Sequence, residues 1–245
     1  LPGEPLLYLG DTARMPYGDR PAGEIDRLTG ELTGWLLRQN VKALIAACGT
    51  ISCNAGETLQ QLPVPCFDVV TAAAEAAAQA TRNGKVGLAA TSATIRSGRF
   101  AEEIKKRTGQ AVTAVPCPQL APMIEHGAGP DDPALAAAVA EYCQPLLQSG
   151  VDTVVLGCTH YPLIAELFTR ILGPEVTLID CAGEAAKAAA EAMKEQHLLA
   201  EGNDPAVTEY RFTALPPQGA RQTARRMLGE DFTPRLEKLT AFSTE

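Results

Sequence analysis

Short apolar runs alternate with longer helical patterns along the chain. Leu6 to Leu9, Ala43 to Ala47, Val86 to Ala89, Val154 to Leu156 and Val176 to Ile179 have the length and composition of buried strands. Ala72 to Thr81, Phe100 to Thr108 and Ala134 to Leu147 read as helices. Strands separated by helices imply βαβ units and an α/β fold with parallel sheets covered on both faces. Turn-forming residues cluster at Asn83-Gly84 and from Gly127 to Pro133. The first of these breaks divides the chain into an α/β half at residues 1–82 and a second at 83–182, with 183–245 returning to complete the first. From Ala200 the chain is richer in Pro, Gly and charge. Loops and a last helix around Ala220 to Leu228 are expected there.

An internal repeat supports two similar halves. Leu36-Leu37-Arg38-Gln39-Asn40-Val41 runs through Lys42 into Ala43-Leu44-Ile45-Ala46-Ala47-Cys48. Leu146-Leu147-Gln148-Ser149-Gly150-Val151 runs through Asp152 into Thr153-Val154-Val155-Leu156-Gly157-Cys158. Both read helix end, polar turn, buried strand, cysteine, in the same register. Duplication explains the match; helix–turn–strand units are common enough that chance is the alternative. Either way, each cysteine lies just past the carboxyl end of a strand, where open α/β sheets bind ligands.

Composition narrows the function classes. The chain has 245 residues, 46% of them hydrophobic, enough for a sizeable core. The formal net charge is −8, and the densest basic cluster is Lys105-Lys106-Arg107. A nucleic-acid surface needs a basic stripe, so no nucleic-acid partner is expected, and the small cluster reads as a solvated helix end. No apolar run approaches the roughly 18 residues that span a bilayer. The seven cysteines include no C-x-x-C pair, which points to reduced thiols in a cytoplasmic protein and to no metal site. Neither a P-loop nor a G-x-G-x-x-G spacing is present, so no cofactor is expected.

Cys48-Gly49-Thr50 and Cys158-Thr159-His160 follow the two repeated strands. At such a junction the next helix offers free N–H groups, which would lower a thiol's pKa and hold a carboxylate. Two thiols facing each other across one ligand suit racemisation. One thiolate takes a proton from one face of a carbon while the opposite thiol returns one to the other face. His160, two residues from its cysteine, suits a proton-relay or thiolate partner. The bland alternative is two structural thiols and a satisfied histidine.

At these residues the chain resembles the aspartate/glutamate racemase family, along nearly its whole length. Gly157-Cys158-Thr159-His160-Tyr161-Pro162-Leu163 is similar to the family's second cysteine motif. Residues 8–18, with Asp11-Thr12-Ala13-Arg14 and Pro16-Tyr17-Gly18, resemble its Asp-Thr-Ala-Arg…Pro-Tyr-Gly loop. Thr91-Ser92-Ala93-Thr94 and the segment from Cys117-Pro118 to Glu125 also resemble family segments. The resemblance implies two α/β halves with the site in the cleft between them. It implies cofactor-independent interconversion of L- and D-glutamate in the cytoplasm, supplying D-glutamate for peptidoglycan, by a homodimer.

It further implies Cys48 and Cys158 as the acid/base pair, His160 assisting Cys158, and Glu125 positioning that machinery. Tyr17 and Gly18 would hold a substrate carboxylate through backbone groups. Gly49, Thr50 and Thr159, beside His160, would hold the amino-acid head group, and Thr91 and Thr94 would be weaker contacts to a carboxylate. Related aspartate racemases tend to carry Glu where His160 stands, which favours glutamate over aspartate.

Two departures stand out. The family pattern at the first cysteine is Cys-Asn-Thr, and here the middle residue is Gly49. A lost amide hydrogen bond costs about 0.5–1.5 kcal/mol, unless closer backbone approach or a water compensates. The family also begins with a strand ending in Asp-Ser-Gly, whose Asp assists the first cysteine, and no such motif precedes Leu1. Either that strand lies upstream of Leu1, or it is disordered or absent; without it a buried sheet edge is exposed and Cys48 lacks that partner. A family-shaped binding protein without turnover is therefore the alternative to an enzyme.

Overall fold

A computed structural model describes residues 3–18, 20–200, 206–229 and 232–239. The chain opens with β1 (Leu6–Gly10), α1 (Ala22–Leu37), β2 (Leu44–Ala46), α2 (Gly49–Asn54), α3 (Gly56–Gln60), β3 (Cys66–Asp68) and α4 (Val69–Ala80). There follow β4 (Val86–Ala90), α5 (Ser92–Ser97), α6 (Arg99–Thr108), β5 (Thr113–Pro116), α7 (Leu120–Glu125), α8 (Pro133–Ser149) and β6 (Thr153–Leu156). A 3-10 turn (Tyr161–Ile164) leads to α9 (Ala165–Leu172), β7 (Thr177–Asp180), α10 (Cys181–Glu195), β8 (Thr208–Phe212), α11 (Gln218–Leu228) and β9 (Arg235–Leu236).

All strand pairings are parallel, in an α/β architecture. The second half carries a four-stranded sheet in the order β5-β4-β6-β7. Its central strands read as continuous apolar runs because both faces are covered: β4 and β6 are buried at every position. Ala89, Val154 and Leu156 pack with α7, α8 and α9, while Leu88, Ala90 and Val155 pack with α4, α6 and α10. Burying each Val or Leu in this way contributes about 1.5–3 kcal/mol relative to exposure. The chain leaves β4 toward one side of the sheet and reaches β6 on the other, so the carboxyl ends of β4 and β6 flank a topological switch point.

The described strands of the first half form two smaller sheets. β1 pairs with β8, which pairs with β9, and β2 pairs with β3 in a separate sheet. Among the described residues β1 and β2 each have a strand on one side only. Leu6, Tyr8 and Ile45, on these two strands, are exposed. A small cluster of Tyr17, Ile25, Leu28 and Leu32 forms its core with Leu9, Ile51 and Leu239.

Several boundaries move for local reasons. Helix α4 starts at Val69, not Ala72, because the Asp68 carboxylate accepts from the N–H groups of Val70 and Thr71. It lies before the expected division at Asn83-Gly84, yet packs on the four-stranded sheet. The tail holds more than loops and a helix: β8 aligns with β1 from Leu6–Thr208 to Gly10–Phe212. Its polar and aromatic sequence gives a weak strand pattern; the β1 ladder and the contacts of Tyr8 with Tyr210 and Phe212 complete it. Residues 201–205, 230–231 and 240–245 of that tail lie outside the described residues. The repeat has a backbone counterpart: Asn40 and Gly150, at equivalent positions, both adopt positive φ, 55° and 66°.

Candidate active site

The repeated strands deliver the two cysteines. Cys48 is the N-cap residue of α2, and its carbonyl accepts from Ser52 N at 2.9 Å. The Ser52 hydroxyl donates to the Ala46 carbonyl at 3.0 Å, folding the helix back onto β2. Cys158 follows β6, whose ladder is extended by Gly157 N donating to Ala89 O at 2.8 Å. The loop beyond Cys158 is anchored by the fully buried Tyr161, whose hydroxyl donates to the Cys117 carbonyl at 2.9 Å.

The two cysteine loops meet. A Cβ placed on Gly49 would lie 2.5 Å from the Gly157 carbonyl oxygen and 3.7 Å from Thr94 Oγ1. No ordinary side chain fits there without moving backbone. The lack of a side chain at Gly49 lets the two cysteine loops approach closely. Beside it, the hydroxyls of Thr50 and Thr91 are 3.2 Å apart, and Thr91 donates to Thr94 at 3.0 Å. Gly18 faces the same Thr91, with space for a Cβ at 3.7 Å from that side chain. Gly18, Gly49, Thr50, Thr91, Thr94 and the Gly157-Cys158 turn therefore converge from both halves.

Cys158 has charged support. His160 Nδ1 lies 3.6 Å from its sulfur, and His160 Nε2 lies 2.6 Å from Glu125 Oε1, at the end of α7. Desolvation alone would lower the imidazole's pKa; its bonds to Cys158 and Glu125 outweigh that and raise it to about 10. The bond to His160 holds the Glu125 carboxyl below its ordinary value. Thr159 sits half-buried between Cys158 and His160.

Cys48 differs. Burial pushes its thiol up, and the N–H groups of Ile51 and Thr50 counter this only in part. The expectation of a thiol depressed by the helix end is corrected here: α2 has only six residues, and desolvation exceeds what its amides return. Tyr17 is buried and its hydroxyl donates to Asp11, which leaves its backbone as the group available to a ligand. Among the described residues no group of three or more His, Cys, Asp or Glu side chains is placed to hold a metal ion, and no helix is long and apolar enough to cross a membrane.

Sequence reasoning missed one supporting group. Asp11 accepts from Tyr17, from Arg14 Nε at 2.7 Å and from the Thr213 hydroxyl at 2.7 Å, tying the 11–18 loop to the chain beyond β8. Its position in Asp11-Thr12-Ala13-Arg14 was the available clue.

This arrangement agrees with the chain's similarities to known proteins. The chain is 38% identical over 242 residues to a glutamate racemase of Syntrophus aciditrophicus, covering 98% of this chain and 88% of the relative. It is 39% identical over 230 residues to one of Saccharopolyspora erythraea, covering 94% and 84%. Its fold superposes on the crystal structure of glutamate racemase from Francisella tularensis in complex with D-glutamate with a TM-score of 0.89, at 30% identity, covering 98% of this chain and 90% of that one. The model of the Asp/Glu/Hydantoin racemase family matches residues 1–189, and the chain belongs to that family.

Proposed function

We propose that the chain is a cofactor-independent glutamate racemase that exchanges the α-proton between two opposed cysteines. The observation that carries the reading is the meeting of the Cys48-Gly49-Thr50 turn with the Gly157-Cys158 turn across the cleft. One thiolate takes the α-proton and the electron pair stays on the α-carbon as a carbanion. The opposite thiol then gives its proton to the other face, becoming the thiolate. Atoms and charge balance, and each turnover leaves the thiols ready for the reverse reaction.

The backbone of Tyr17 and Gly18 holds a carboxylate of the substrate. Gly49, Thr50 and Thr159 hold its head group, with Thr91 and Thr94 completing a hydroxyl row. His160 supports the charge that Cys158 gains and loses, and Glu125 fixes the imidazole. The glutamate racemase relatives and His160 support glutamate over aspartate. The reading places the enzyme in the cytoplasm, as a homodimer, supplying D-glutamate for peptidoglycan.

The test is α-proton exchange by NMR in D₂O with L- and D-glutamate separately. Deuterium uptake from both enantiomers with inversion is expected; absence of uptake from either would leave a binding protein.

A further inference from the structure

We propose that Gly219, on α11, is a positioning residue: its lack of a side chain lets α11 press against the Glu125 carbonyl and fix the Glu125 carboxylate against His160. The inference rests on the racemase reading above and concerns a part of the chain outside the cysteine loops.

A Cβ on Gly219 would lie 2.5 Å from the Glu125 carbonyl oxygen, 3.3 Å from the His126 carbonyl carbon and 3.5 Å from that of Glu125. All three are backbone atoms, so no side-chain rotation relieves the clash. Either α11 or the end of α7 must withdraw by about 0.5 Å to reach even the closest separation that real Cβ atoms show. Helix α7 has six residues, and its inner face is fixed by the buried Leu120 and Ile124. Its last residue is Glu125, whose carboxylate makes the 2.6 Å bond to His160. Charge-assisted N–H···O bonds are usually about 2.7–2.9 Å long, so a shift of this size carries the bond past that range and acts directly on the relay.

The entry to α11 is itself tied to the first half. Thr213 N donates to Gly10 O at 3.0 Å, and the Thr213 hydroxyl donates to Asp11. Ala214 N donates to the Thr12 hydroxyl at 3.0 Å. Pro216 and Pro217 then restrict the backbone before α11 begins. Asp11 is the group that holds Tyr17. Residues 213–219 thus form a strap from the carboxylate loop of one half to the Cys158 relay of the other.

L- and D-glutamate have equal free energies in water, so kcat/KM stays equal in both directions for any variant. Damage to the Cys158 relay appears instead as a skew in α-deuterium isotope effects. The transfer at Cys158 becomes rate-limiting for both enantiomers; the effect is full when the deuterium faces Cys158 and small when it faces Cys48. For Gly219→Ala we expect kcat/KM to fall about tenfold, as for weakening one charged hydrogen bond, with this skew, and Glu125→Gln to skew the same way. Pro217→Gly, which adds no side chain and only frees the entry to α11, should give a smaller skew of the same sign. It serves as the test if Gly219→Ala does not fold. Folded variants with unskewed isotope effects, or Gly219→Ala with unchanged rates, overturn the positioning role alone. A wild-type chain that exchanges neither enantiomer overturns the racemase reading and the positioning role with it.

Discussion

Cys158 stands at the end of a strand with neighbours on both sides, buried on both faces, and backed by an imidazole and a carboxylate. Cys48 stands at the end of a three-residue strand with one neighbour among the described residues, at the start of a six-residue helix, and the groups that favour its thiolate are the backbone amides of Ile51 and Thr50 and the Thr50 hydroxyl. Among the described residues, two equivalent places in a repeat are thus furnished differently. A fixed ionic partner can stabilise a thiolate inside a covered sheet. The described residues around Cys48 offer its thiol dipoles instead. A symmetric reaction does not require symmetric acids, provided each can release what the other accepts.

The largest effect should come from removing either sulfur. Cys48→Ser and Cys158→Ser are each expected to reduce racemisation by about 10²–10⁴-fold or more. Each variant should retain slow deuterium exchange, without inversion, for the enantiomer whose α-proton faces the remaining cysteine. NMR of the recovered amino acid reads both quantities. Two-way inversion at the wild-type rate in either variant would sink the two-base scheme.

Next in size is the relay. His160→Asn is expected to lower kcat/KM by about 10²-fold and to skew the α-deuterium isotope effects, because only the Cys158 step is slowed. An unskewed loss would mean that the imidazole merely supports the fold, and the contrast between the two thiols would lose its basis.

Gly49 tests how closely the two regions must meet. Gly49→Ala puts a Cβ against the Gly157 carbonyl, and overpacking of this kind costs about 1–3 kcal/mol. The thermal midpoint should fall modestly. Inversion should fall more than exchange, since inversion needs both thiols across one carbon. Equal losses of exchange and inversion would show that the contact does not set the gap.

Gly49 also marks the limit of what the sequence could reveal. Its departure from the family pattern was visible, but not which backbone atom filled the space, because Gly157 lies 108 positions away. The buried strands of the second half were legible because full burial writes a continuous apolar run. β8 was not, since its stability comes from pairing with β1 and from aromatic contacts. Cys48, Cys158 and His160 stood out through repeat and motif. The raised Cys48 thiol did not, because desolvation depends on what packs around a group rather than on its place at a helix end.

The remaining effect is on stability rather than on activity, and it turns on the charge state of His160. Its folded pKa of about 10 lies above the ordinary 6.5. The stabilisation is then fully present below 6.5, declines as pH rises, and is gone above about 10. Glu125 works the other way: held below its ordinary value of 4.5, it loses its contribution only in acid. The His160–Glu125 pair therefore favours the folded state across neutral pH, whereas burial of Cys48 raises the cost of charging that thiol. Denaturant midpoints of wild type and His160→Gln, compared between pH 6 and pH 10, isolate the imidazole. The wild-type advantage should shrink steadily as pH rises. An advantage that grew toward pH 10 would mean a neutral imidazole at His160, and the two cysteines would then differ in hydrogen bonding but not in charge.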